Sequence, residues 1–159
     1  YLLESEENQR IHRFFRDINA FYQKEPALWE TDFSLEGFEW LVHDDNHNNV
    51  VVFLRRDKKG RDLMCAVNFS PNTYEDYRMG VPAHRRYTPV FNTDDPAYGG
   101  DGFGDKEPVP VEAIPSHGKE HSAAIRIPAF GAVFLRGEGV FPKPVKSRIK
   151  KQAKELVEK

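Results

Sequence analysis

The segment His117-Gly118-Lys119-Glu120-His121 brings two imidazoles and a carboxylate close together along the chain. It matches H-x-x-E-H, an inverted zinc-protease pattern. That chemistry needs both histidines on one helical face and the glutamate beside a metal-bound water. Pro115 precedes the segment, Gly118 lies inside it, and a strand-like run ending at Pro128 follows. The helical context is missing, and the residues read as a polar turn entering a strand. A second cluster, Asp94, Asp95, Asp101 and Asp105 around Gly99, Gly100, Gly102 and Gly104, offers carboxylates on flexible backbone, which hard cations such as calcium prefer. It departs from the calcium-loop pattern D-x-[DN]-x-[DN]-G and reads as a solvated, turn-rich loop. Glycoside cleavage needs two acids about 5–10 Å apart across a sugar. The neighbouring acids Asp44-Asp45 and Asp94-Asp95 sit in turns, where such residues usually serve the turn itself. No nucleophile elbow, phosphate loop or dinucleotide fingerprint is present. His12, His43, His47 and His84 lack ligand spacing, and Cys65 lies in an apolar run as a buried, inert thiol. These residues assign no catalytic, cofactor-binding or metal-binding position, and no cofactor.

The elements that would hold any site fall into two grammars. Over residues 6–25, Ile11, Phe14, Phe15, Ile18, Phe21 and Tyr22 recur at helical spacing. Ser5 is the N-cap, Glu6 and Glu7 suit the positive end of the helix dipole, and Pro26 stops the helix. Such a helix is about 30 Å long and needs a surface for its apolar stripe. From residue 37 the pattern changes to short strands at 37–45, 50–54, 63–69, 74–78, 86–91, 122–127 and 130–136. Turn clusters such as Asp57-Lys58-Lys59-Gly60 and Ser70-Pro71-Asn72 separate most of them. This is the grammar of an antiparallel β-sandwich, with no intervening helices to build a parallel sheet. Phe38, Trp40 and Val42 alternate, which places Trp40 on the core face. Trp29, Tyr74, Tyr77, Tyr87, Tyr98 and Phe103 are read as packing residues. The long Gly/Pro-rich stretch 92–118 is a functional or contacting loop. After it, Lys143, Lys146, Arg148, Lys150, Lys151, Lys154 and Lys159 make a basic helix or tail with a solvated face.

Of the 159 residues, 39% are hydrophobic and 13% aromatic, enough for a real core. A formal charge of −2 points to neither nucleic acid nor an acidic membrane as partner. No run reaches the ~20 apolar residues of a membrane span. A single cysteine excludes an intrachain disulfide framework and suits a reducing cytoplasm. Tyr1-Leu2-Leu3-Glu4 has no secretory-signal character and reads as an entry into a longer polypeptide.

Taken in order, several phrases resemble one family. They are Phe15-Arg16-Asp17-Ile18-Asn19 with Tyr22, Gly37-Phe38-Glu39-Trp40-Leu41 with Asp44-Asp45, Phe53-Leu54-Arg55-Arg56, Val67-Asn68-Phe69-Ser70-Pro71, Tyr77-Arg78-Met79-Gly80-Val81-Pro82, Asn92-Thr93-Asp94 with Gly99-Gly100, Ser116-His117-Gly118 and Ile127-Pro128-Ala129-Phe130. Over residues 1–137 the series resembles the C-terminal portion of bacterial 1,4-alpha-glucan (glycogen) branching enzymes of the α-amylase superfamily. The resemblance implies that residues 1–29 are the last helix of a catalytic (β/α)8 barrel lying outside this sequence. Residues 30–138 would be the C-terminal all-β domain, and residues 139–159 a basic helical or disordered tail without a family role. Such an enzyme transfers α-1,4-glucan segments to a 6-hydroxyl with an aspartate nucleophile, a glutamate acid/base and a stabilising aspartate. By the resemblance all three precede Tyr1, so this chain is expected to be inactive alone, steadying the barrel and contacting glucan. The other readings are a stand-alone carbohydrate-binding sandwich, resting on the aromatic and Gly-rich segments from 74 to 103, and a zinc hydrolase resting on His117 and His121. The helix stripe at Phe14, Phe15, Ile18 and Phe21 is expected to pack partly on the barrel and otherwise to drive self-association.

Overall fold

The computed structural model describes residues 4–141. The basic tail expected at 139–159 falls, beyond residue 141, outside the described residues. Helix α1 runs Glu6–Lys24, with the Ser5 side chain accepting from the Asn8 N–H at 3.3 Å. It ends where Pro26 opens a single 3-10 turn, Pro26–Leu28. Eight strands follow: β1 Phe38–Asp45, β2 Val50–Arg56, β3 Asp62–Asn68, β4 Tyr74–Val81, β5 Arg86–Asn92, β6 Val109–Pro110, β7 His121–Ile127 and β8 Ala132–Glu138. Seven correspond to runs visible in the sequence. The two-residue β6, buried in the Gly/Pro-rich stretch, has no pattern of its own.

The strands form a six-stranded sheet, β1-β2-β3-β8-β5-β6, and a two-stranded sheet, β4-β7. The pairings are antiparallel, as the short turns between runs require. The last strand lies in the middle of the large sheet, between β3 and β5. The inner face of that sheet carries Val42, Val52, Leu54, Met64, Ala66, Tyr87, Val133 and Leu135. It closes on Tyr77, Met79 and Val81 of β4 and on Ala123, Ile125 and Ile127 of β7. Strand alternation sends the other set of side chains outward. On β3 both sets are buried: Met64 and Ala66 in the sandwich, Leu63 and Cys65 beneath Ala27, Leu28 and Phe21. The molecule thus has three layers: small sheet, large sheet, and helix with its following turn.

Candidate docking face

The outer face of the large sheet carries one row of side chains that crosses five strands. Register pairs Trp40 with Phe53, Phe53 with Cys65, Cys65 with Phe134, and Phe134 with Phe91. Directly opposite residues share a face, so the row is continuous. Its β5–β8 end is covered by α1. There Phe21 stacks on Phe91 at 5.0 Å and meets Phe134 edge-on at 5.4 Å, while Phe14 packs against Phe91 and Tyr98. The buried Glu25 carboxylate, just past the helix, pairs with Arg136 of β8 and fixes this end. In the middle, Cys65 is covered by the turn at Ala27, and burial pushes its thiol up to about 12.

At the β1–β2 end the row is open among the described residues. Trp40 is 50% exposed there, flanked by Phe38 at 5.0 Å, Phe53 at 5.8 Å and His43 at 6.4 Å, each ring steeply inclined to the indole. This corrects the placement of Trp40 in the core. Trp40 pairs with Phe53 but Val42 pairs with Val52, leaving Leu41 as an extra residue in a β-bulge. Leu41 and Val42 both turn inward as a result, and the alternation that would have carried Trp40 with Val42 is broken.

The segment between helix and sheet extends the open end. Arg55 straps it down with bonds to the carbonyls of Ala27 (3.3 Å) and Leu28 (3.4 Å) and to the Asp32 carboxylate (2.6 Å). Thr31 donates to the Arg56 carbonyl. Gly37 passes so near Thr31 that a Cβ would lie 2.2 Å from its carbonyl oxygen; the crossing demands glycine. Held this way, Phe33 and Leu35 are fully exposed and Trp29 is half exposed. On α1 the predicted stripe divides: Phe14, Ile18 and Phe21 are half-buried, whereas Ile11, Phe15 and Tyr22 remain open. Single exposed apolar residues are ordinary, but a set this large on one chain marks an interaction surface. The sequence did not announce Trp40, Phe33 or Leu35. The available signal was apolar residues at 29, 33 and 35 in a segment with no period to bury them.

A ladder of charges runs along the opposite face of β1 and β2. Glu39 lies between Lys119 and Arg56, and Arg56 continues to Asp62 at 2.6 Å. Burial works to raise the Glu39 and Asp62 carboxyls. Hydrogen bonds from Lys119 and Arg56 to Glu39, and from His84 and Arg56 to Asp62, outweigh it and hold both below their ordinary values.

The clusters singled out in the sequence are not brought together. His117 lies in a turn with φ 46, its Nδ1 2.8 Å from Ser116 Oγ, and Ser116 bridges to Lys119. His121 opens β7 and packs its ring on Phe141 at 4.2 Å. The pattern therefore occupies a turn and a strand start rather than one helical face. In the acidic loop, Asp94 accepts from the Phe103 N–H, Asp95 caps Ala97, and Asp105 accepts from the Arg126 N–H. The three carboxylates hold backbone and do not converge. Asp45 accepts from Tyr77 and Asn48. Among the described residues no group of three His, Cys, Asp or Glu side chains is disposed to hold a metal ion. Tyr77 and Tyr87 are buried, and Phe103 lies under the Arg126 guanidinium at 4.5 Å, packing roles all three.

Two antiparallel sheets closed on one core, with a helix on the outer face and an apolar surface left open beside it, define an accessory β-sandwich. Residues 40–138 match the alpha amylase C-terminal all-beta domain, and the chain belongs to that family. Among its relatives, the 1,4-alpha-glucan branching enzyme GlgB of Burkholderia pseudomallei (strain 668) is 43% identical over 135 residues, 85% of this chain and 18% of the relative. GlgB of Rubrobacter xylanophilus is 42% identical over 146 residues, covering 91% and 19%. GlgB of Aquifex aeolicus is 39% identical over 140 residues, covering 87% and 22%. The chain spans about a fifth of the length of the curated relatives it matches. Among the described residues, no helix is long and apolar enough to cross a membrane.

Proposed function

We propose that this chain is the C-terminal accessory domain of a 1,4-alpha-glucan branching enzyme of the cytoplasm, without catalytic residues of its own, that steadies the catalytic barrel by docking on it. Residues 1–29 supply the last barrel helix, 30–138 the sandwich and 139–159 a basic tail. The observation that carries this reading is the divided surface of α1. One half of its stripe seats on Phe91 and Phe134, while Ile11, Phe15 and Tyr22 stay exposed, as does Trp40 at the far end of the same sheet. Relatives roughly five times longer supply a partner large enough to cover both. The test is complementation. A relative's branching enzyme shortened by its matching C-terminal fifth is mixed with this chain and assayed on amylose. Recovered branching and a higher melting temperature for the mixture are expected, with no branching by this chain alone. Branching by the isolated chain, or no association of the two pieces, overturns the proposal. Without the barrel, the same apolar surface is expected to drive self-association, visible as a concentration-dependent sedimentation coefficient.

A second role rests on Trp40. A half-exposed indole with His43 beside it offers an apolar plate and a polar neighbour for the C–H face and hydroxyls of a sugar. Titration with maltoheptaose should quench tryptophan emission in the wild type and fail to do so in Trp40→Ala. No spectral change at millimolar oligosaccharide removes this role and leaves the docking reading standing.

A further inference from the structure

His84 lies on the turn between β4 and β5, and both nitrogens of its ring face acceptors. Nε2 is 2.7 Å from Asp62 Oδ2, and Nδ1 is 3.2 Å from the carbonyl oxygen of Gly139, just after β8. The other Asp62 oxygen already accepts from Arg56 Nε at 2.6 Å. A peptide carbonyl can only accept, and so can an ionised carboxylate. A neutral imidazole carries one N–H and can satisfy only one of these partners; the imidazolium satisfies both. The ring is packed on two sides. Tyr87 packs edge-on at 5.5 Å, and a Cβ on Gly137 would come within 2.6 Å of the ring. The stretch tied down by this bond is also held at its far end: the Phe141 N–H donates to the Ala83 carbonyl at 2.8 Å, and the Phe141 ring lies on His121 and against the sandwich core.

We propose that His84 is a proton-operated clasp: as imidazolium it ties the chain leaving β8, Gly139–Phe141, to the Asp62 carboxylate of β3, and on losing its proton it lets that stretch go. The surrounding charges set the balance. Asp62 on β3 favours the charged ring, and Arg56 on β2 opposes it. Arg56 is itself shared with Glu39 on β1, which also takes Lys119. Arg86 on β5 is neutralised by Glu138 of β8, Arg136 of β8 by Glu25, and Arg85 lies against Gly139. The hydrogen bond to Asp62 is the main influence raising the His84 pKa above its ordinary 6.5.

The whole 159-residue chain, labelled with nitrogen-15, is titrated by NMR from about pH 5 to about pH 9, the span of histidine charge changes. Two protonated ring nitrogens on His84 at the acid end are expected, with a midpoint above 6.5 shared by the Gly139 and Phe141 amides. Across that midpoint the Phe141 amide should lose about tenfold in exchange protection beyond the ordinary base-catalysed rise. In His84→Ala the Phe141 amide should exchange at the fast rate at every pH, and Asp62→Asn should lower the His84 midpoint. A single-tautomer neutral ring at the acid end, or Gly139 and Phe141 amides indifferent to the His84 titration, overturns the proposal. So does full Phe141 protection in His84→Ala.

Discussion

The six-stranded sheet shows two faces built from the same strands and governed by different rules. The inner face closes on apolar residues of β4 and β7, and Leu54, Met64, Ala66 and Leu135 have almost no exposure. On the outer face one row, Trp40–Phe53–Cys65–Phe134–Phe91, passes from a covered end to an open one. Packing alone explains the first face. The second is half explained by α1, and its other half stays open among the described residues, which is the surface the proposed docking would use.

The largest effect that would test this contrast is at Ile125, fully buried between the sheets. Ile125→Ala should cost about 2–5 kcal/mol in urea unfolding, the range for a buried large-to-small change. A loss under about 1 kcal/mol would mean the inner face is not sealed. Next is Phe134, half-buried beneath Phe21. Phe134→Ala should cost about 1–3 kcal/mol and lower helical circular dichroism, because α1 rests on it. A similar cost with unchanged helicity would show that α1 holds without the row. The pH dependence is smaller. His84 binds its proton more tightly in the folded chain, so its contribution is complete below 6.5 and is lost as pH rises through the raised value. Asp62 is held below 3.8, so its contribution is complete at neutral pH and is lost on acidification. Urea midpoints should therefore fall toward both extremes of pH. A flat alkaline limb would mean that His84 gains nothing from folding. The smallest effect is expected at the open end. Trp40→Ala should change the stability of the isolated chain by less than about 0.5 kcal/mol. The same change should weaken binding to the shortened branching enzyme. A large stability loss instead would make Trp40 a core residue after all.

Much of the fold is legible in the sequence because its signals are local. The 3.6-residue recurrence from Ile11 to Tyr22, the Ser5 cap and Pro26 define α1 without tertiary information. Turn residues mark most strand boundaries in the same way. Three things were not legible. The insertion of β8 between β3 and β5 is a non-local pairing that neither strand encodes by itself. The two residues of β6 are too few to show a period. Trp40 depended on one extra residue in β1, and a bulge inverts every inference from alternation beyond it. The negative signals were stronger: Pro115 and Gly118 showed from sequence that the H-x-x-E-H pattern had no helix, and the structure puts it on a turn.

The bulges of β1 also bear on solubility. As the outermost strand of the large sheet, β1 presents unpaired backbone to solvent, next to the molecule's most apolar open surface. Two register shifts, between Trp40 and Val42 and between Val42 and Asp45, break its edge into pieces too irregular to template another strand. The proposed docking face can stay adhesive while the irregular edge beside it discourages growth into fibrils. Removing Leu41 to straighten β1 should therefore send this chain toward aggregation, seen as thioflavin binding, before it alters any association with an enzyme.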